Sequence, residues 1–214
     1  MRLALIAFMV ATSTIAVEDE LLQSAAAVFA HAVETPAAAI PAAVLMRASA
    51  IAVVPQAVKD GSRYYGKGVM SARGASPDDW SAPAVIAFEG AIPLDLDHGE
   101  ADFIIIAQTP RGVDHLLDAR LGSAFSRAIA PGGIGHNSLT RIDADLIAYI
   151  HIDRYFAGVT IDGWAVDDLP ASNEALYGRP YSADDIVRGA GFFRVPHGGR
   201  IWRDVLTRYF REMS

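Results

Sequence analysis

A chain of 214 residues with 52% hydrophobic and 20% charged side chains can bury one sizeable core and suits a single domain better than two. Its formal charge of −7 argues against nucleic acid as a partner, because a phosphate backbone calls for a basic footprint. With no cysteine there is neither a disulfide framework nor a cysteine to carry a lipoprotein anchor.

Residues 1–16 have the layout of a secretory signal peptide: Arg2, an apolar run from Leu3 to Ala11, and small residues ending at Ala16, the expected last residue removed. The run is shorter than the about 20 apolar residues that a bilayer span needs. The expected product is an exported protein, periplasmic or secreted, soluble or peripherally membrane-associated. Residues 17–35 then form an N-terminal helix, with Leu21, Leu22, Ala25, Val28, Phe29 and Ala32 at helical spacing and Pro36 as its stop. A short helix opens at Pro41 and turns Val44 and Leu45 inward, and Ile51–Val54 reads as a strand.

From 63 to 107 the period becomes two. Tyr64, Gly66, Gly68, Met70 and Ala72 share one face of a strand whose other face carries Arg63, Tyr65, Lys67 and Arg73. Trp80, Ala82, Ala84, Ile86 and Phe88 fall on one side of the next strand. Residues 101–108 are apolar on both faces, as in a central strand. Pro110 opens a helix that buries Val113, Leu116 and Leu117. Strands are expected near 123–130, 145–152 and 155–166, with a tight turn at Asp153-Arg154. Helices follow near 171–176 and 182–188, each with a serine suited to capping. Together these predict an α+β fold, a strongly bent or barrel-like antiparallel sheet flanked by N- and C-terminal helices.

Residues 199–213 form an amphipathic helix. Ile201, Trp202, Val205, Leu206, Tyr209, Phe210 and Met213 line one face, and Arg200, Arg203, Asp204, Arg208 and Arg211 the other. Residues 179–214 carry seven arginines against four acids, so this end is basic within an acidic chain. Such a helix either lies in a membrane interface or packs its apolar face onto the domain.

Other clusters have weaker chemical content. Asp95, Asp97, His98, Glu100 and Asp102 are oxygen-rich enough for a hard cation but lack the spacing of a calcium loop, and also read as a solvated hairpin tip. The segment PGGIGHN at 131–137 lacks the following Lys-Ser/Thr of a phosphate loop and reads as a turn. The six histidines have no ligand spacing, and no GxSxG motif or cysteine nucleophile is present. No cofactor, no metal ion and no catalytic residue is expected.

Glycines 61, 66 and 68, the run WSAP at 80–83, YFAGVTIDG at 155–163, IPAAVLMRASAIAVVP at 40–55 and NEALYG at 173–178 occur in the order that characterises the SYLF domain, which residues 36–190 resemble. Residues 191–214 are then a C-terminal helix appended to it. The resemblance implies a non-enzymatic binding module, since the family includes eukaryotic lipid-binding and actin-binding modules and many exported bacterial proteins. The run Pro93–Asp97 stands where family members carry glycines, and Val17–Glu20 is acidic where the lipid-binding relatives are basic. The expected partner is a phospholipid or anionic membrane surface, met by Arg63, Tyr65, Lys67 and Arg73 and by Arg200, Trp202, Arg203, Arg208, Phe210 and Arg211. The alternatives are a protein-interaction or scaffolding module of the cell envelope, and a metal-dependent enzyme centred on 95–102.

Overall fold

The computed structural model describes residues 2–34, 40–76, 79–93, 98–118, 130–131, 144–153, 155–189 and 194–212; for 2–14 and 130–131 only the backbone is described. Helix α1 runs unbroken over Arg2–Glu34, because no glycine or proline interrupts that stretch; it therefore starts well before the expected 17. From Glu18 onward it buries Leu22, Ala25, Phe29 and Ala32, the stripe read from helical spacing. Helix α2 (Ala42–Met46) turns Val44 and Leu45 inward as expected.

Among the described residues eight strands form a single sheet: β1 (Ala50–Asp60), β2 (Arg63–Ala72), β3 (Ala84–Ala91), β4 (Glu100–Ala107), β5 (Ala130–Pro131), β6 (Leu146–Ile152), β7 (Tyr155–Gly158) and β8 (Asp162–Asp168). Their order is β5-β6-β4-β1-β2-β3-β8, with β7 also paired to β6. Among the described residues only the short β5–β6 contact is parallel. The sheet is not closed: its path ends at β5 and β8, so it is an open sheet and not a barrel.

Strand β1 continues past Pro55, where a strand ending at Val54 is expected. A proline is tolerated there because the ladders to β2 and β4 shift register around it, with Gln56 at φ 51°. The bulge is held by Asp102, whose Oδ1 accepts the Gln56 backbone N–H at 2.9 Å. It re-phases the strand, so that Val54 and Ala57 both enter the same core.

The sheet is covered on both faces. Ile51, Val53, Val69, Ile104, Ile106 and Tyr149 pack beneath α1, α2 and α6 (His197–Glu212). Ala52, Val54, Met70, Ile86, Phe103 and Ile105 pack beneath α3 (Pro110–Leu117) and α5 (Ala183–Arg188). Strand β4 contributes to both, as its two-sided apolar pattern predicts. Trp80 does not share the face expected for it: it lies in the core under α6, opposite to Ala82, Ala84, Ile86 and Phe88. Pro83 separates it from β3, so the alternation of that strand does not extend back to it.

Helix α5 carries the expected serine cap, a capping box between Ser182 and Asp185. Helix α4 (Pro170–Tyr177) does not: its Ser172 donates to Glu18 Oε1 at 2.8 Å. Its Asn173 side chain accepts from Val85 N and donates to Val85 O, satisfying β3 where its ladder to β8 stops.

Candidate functional site

Helix α6 is amphipathic as read, and its apolar face is inside the protein. Trp202 is 0% exposed, Leu206 and Phe210 are buried, and the indole of Trp202 donates to Ser71 Oγ at 2.9 Å. Phe29 meets Trp202 and Tyr209 edge-on, and Phe210 packs on Trp80 at 4.9 Å between ring centroids. The helix starts tight against α1: Gly198 N donates to Asp19 Oδ1, and a Cβ at Gly198 would stand 2.4 Å from the Asp19 carbonyl oxygen. Trp202 and Phe210, expected among the membrane-contacting residues, are therefore core residues, because α1 and the sheet offer them a dry surface.

The opposite face keeps the arginines outward. Arg200, Arg208 and Arg211 are exposed and Arg203 is half-buried. Arg208 donates to Glu34 Oε1 at 3.3 Å and to the Tyr209 hydroxyl, which itself donates to Glu34. Burial first, and then this bond to Glu34, push the Tyr209 phenol up to about 12.

Arg63, Tyr65 and Lys67 on β2 and Arg73 just past its end are not one patch. Arg63 donates to Glu89 Oε1 at 2.9 Å and to the Gly163 carbonyl at 2.6 Å. Tyr65 is 41% exposed. Lys67 donates to Glu18 Oε1 at 2.7 Å and to Ser172 Oγ at 3.1 Å, so it closes the junction of α1 and α4. Arg73 donates to the Met46 carbonyl at 2.8 Å and lies over the Phe210 ring. Desolvation of this half-buried guanidinium lowers its pKa.

Arg73 and Arg203, read separately from a strand and a helix, are brought together. Both line a cleft of about 540 Å³ with Arg188, Asp79, Trp80 and Val195. Arg188 was not among the expected residues, and no local sequence motif marks it. It donates to Asp184 at 2.6 Å and Asp114 at 2.5 Å, which ties α5 to α3 and raises its pKa.

The acidic cluster is described only in part. Asp95 and Asp97 lie outside the described residues; His98 pairs with Asp153 at 2.8 Å, and Asp102 is held by Gln56 N and His151 Nδ1. Among the described residues no three His, Asp or Glu side chains stand where they could share a metal ion. Of PGGIGHN only Pro131 is described, in β5.

The family of this chain is shown by its sequence. Residues 99–209 match the Ysc84 family, described as Las17-binding protein actin regulator, and the chain belongs to this SYLF-type family. The match includes most of α6. The SH3 domain-containing YSC84-like protein 1 of Rattus norvegicus and that of Mus musculus are each 29% identical over 160 residues, 70% of this chain and 46% of theirs. LAS seventeen-binding protein 3 of Saccharomyces cerevisiae is 29% identical over 165 residues, 70% of this chain and 35% of its own. The chain thus aligns with less than half the length of these relatives, which are named for binding or for a domain and not for an enzymatic reaction. No solved structure matches it.

Proposed function

We propose that the protein is a non-enzymatic binding module that meets an anionic membrane surface through the outer face of α6. The observation that carries this reading is the row Arg200, Arg208 and Arg211, held outward by the burial of Trp202, Leu206 and Phe210. Each arginine near an anionic surface contributes about 1 kcal/mol. With the aromatic face in the core, contact is electrostatic and salt weakens it within a Debye length of about 10 Å at 0.1 M. Among the described residues no helix is long and apolar enough to cross a membrane.

Export with removal of residues 1–16 belongs to the same proposal. Ile15, Ala16 and Val17 are exposed, and Glu18 is the first described side chain that is buried. A cut after Ala16 leaves the Glu18–Lys67–Ser172 junction intact. Intact mass of the protein from a native envelope fraction tests it, and a full-length chain recovered only from cytoplasm overturns it.

Cosedimentation with phosphatidylglycerol and phosphatidylcholine vesicles tests the surface. Binding is expected for the first only, and Arg200→Glu with Arg211→Glu should weaken it about thirtyfold or more, the loss of about 2 kcal/mol. Unchanged binding by the double variant removes α6 from the reading.

A scaffolding role is favoured by a different observation. Val58 and Tyr65 face each other across the β1–β2 ladder and are 54% and 41% exposed, an apolar pair on a hairpin. The yeast relative's name records a protein partner, and an interface of this kind is the corresponding proposal here. Sedimentation velocity should then show self-association that Val58→Asp abolishes.

A further inference from the structure

The cleft between α3, α5, α6 and the β2–β3 connection has an unbalanced set of charges. Among the described residues, Arg188 is the one of its three guanidiniums that is paired with carboxylates. Arg73 has a carbonyl and an aromatic ring as partners, and Arg203 makes no ion pair among the described residues. Asp79 also lines the cleft, but its carboxylate is turned to Gly74, where an added Cβ would stand 2.3 Å from Oδ2, and no ion pair joins it to Arg73. A half-buried guanidinium without an anion is a costly arrangement that a bound anion relieves.

The wall also has Ser49 and Ser81 and an apolar side. Val113, Val187 and Val195 face the same space, and Trp80 in that wall holds a buried indole N–H with no acceptor among the described residues. A volume of about 540 Å³ lies within the range of small-molecule sites, roughly 300 to 1,000 Å³, which combine apolar walls with a few convergent polar groups.

We infer that this cleft binds a small anionic amphiphile, one phosphate or carboxylate group on a short apolar body, with the anion between Arg73 and Arg203 and the body against Val113, Val187 and Val195. Guanidinium forks match both anions in bidentate geometry. Arg188 keeps its carboxylates and shapes the wall. The site is separate from the outer face of α6, because Arg200 and Arg211 do not line it.

Calorimetric titration of the full chain tests this with decyl phosphate below its aggregation concentration, inorganic phosphate and neutral decyl maltoside. Decyl phosphate should bind one to one, at least tenfold more tightly than either control. Arg203→Gln should weaken it about ten- to a hundredfold, the worth of a charge-assisted hydrogen bond, with an unchanged melting temperature. Val195→Glu, which adds an acid to the wall without touching an arginine, should abolish it. The Arg200→Glu, Arg211→Glu variant should retain decyl phosphate while losing vesicles. The inference is overturned if decyl phosphate does not saturate, if inorganic phosphate or decyl maltoside binds equally well, if folded Arg203→Gln binds like the parent, or if the Arg200/Arg211 variant loses the soluble ligand too.

Discussion

The two faces of the sheet are filled by different means. Under α1 and α6 lie rings: Phe29, Trp80, Tyr149, Trp202 and Phe210, all nearly or fully inaccessible. Under α3 and α5 one ring cluster, Tyr64, Phe88 and Phe103, is surrounded by many small residues from the strands, Ala50, Ala52, Ala57, Ala84, Ala101, Ala107 and Ala148 among them, with glycines at 66 and 68. The ring-filled face fixes α6 by packing, which is why its arginines have one outward direction. The alanine-rich face brings backbones close and fixes its helices by polar pins: Thr109 and Arg111 on Asp145, Ala183 N on Asp168, and Arg188 on Asp114. Side chains from both cores meet at the cleft, where Trp80 belongs to the first and Val113 and Val187 to the second.

The largest expected effect comes from emptying the ring-filled face. Trp202→Ala removes a fully buried ring and leaves Ser71 Oγ without its indole donor, at a cost of about 3 to 5 kcal/mol. Urea denaturation measures it. A variant as stable as the parent would mean that α6 is held by its polar contacts to α1, and the contrast between the faces would fail.

Much of this division is legible in the chain, and the exceptions have identifiable causes. Two-sided apolar character marks β4 as central, and a serine suited to capping marks the start of α5. For α6, periodicity reports that one face is apolar; whether protein or lipid covers it depends on what α1 and β2 leave open, and that is tertiary information. Trp80 and the length of β1 were obscured by prolines, one ending an alternation and one absorbed by a bulge. Ser172 reads as a cap by its position, yet it serves Glu18 across 154 residues, a pairing with no local signature. The cleft has the same character. Arg73 and Arg203 are each visible as basic residues on amphipathic elements, but their convergence, and the part of Arg188, come only from the packing of α5 and α6 against the β2–β3 connection.

The opposite face should resist growth where the first resists loss. A Cβ at Gly68 would stand 2.9 Å from the Val53 carbonyl oxygen and from Val54 Cγ2, and one at Gly66 would stand 2.8 Å from Val54 Cγ1. The close neighbours are backbone and aliphatic groups, so relief requires the β1–β2 pair to spread. Gly68→Val should cost about 1 to 3 kcal/mol through overpacking, read as a lower melting temperature. A normal melting temperature would show that the strands can separate there, and that their close approach does not depend on small residues.

The smallest effect separates packing from polar pinning by its pH dependence. Asp145 accepts from Thr109 Oγ1 at 2.7 Å and from Arg111 Nε at 2.8 Å, while Thr109 Oγ1 accepts the Gly112 N–H at the start of α3. Those two side-chain hydrogen bonds, Thr109 first, hold the carboxyl below its ordinary value despite some desolvation. A carboxyl depressed in the folded state contributes stability above its unfolded pKa of about 3.9 and loses it as pH falls through the folded value. Asp145→Asn should therefore cost about 1 kcal/mol at pH 7, a modest figure because Arg111 is largely exposed, and the difference from the parent should shrink as the pH is lowered below about 4. The cost of Trp202→Ala has no such carboxylate behind it and should stay level over the same range. Denaturation series for both variants between pH 7 and pH 3 measure the two slopes. If the Asp145→Asn difference also stays level, the pin on α3 does not depend on the charge of Asp145, and the two faces differ in the size of their side chains alone.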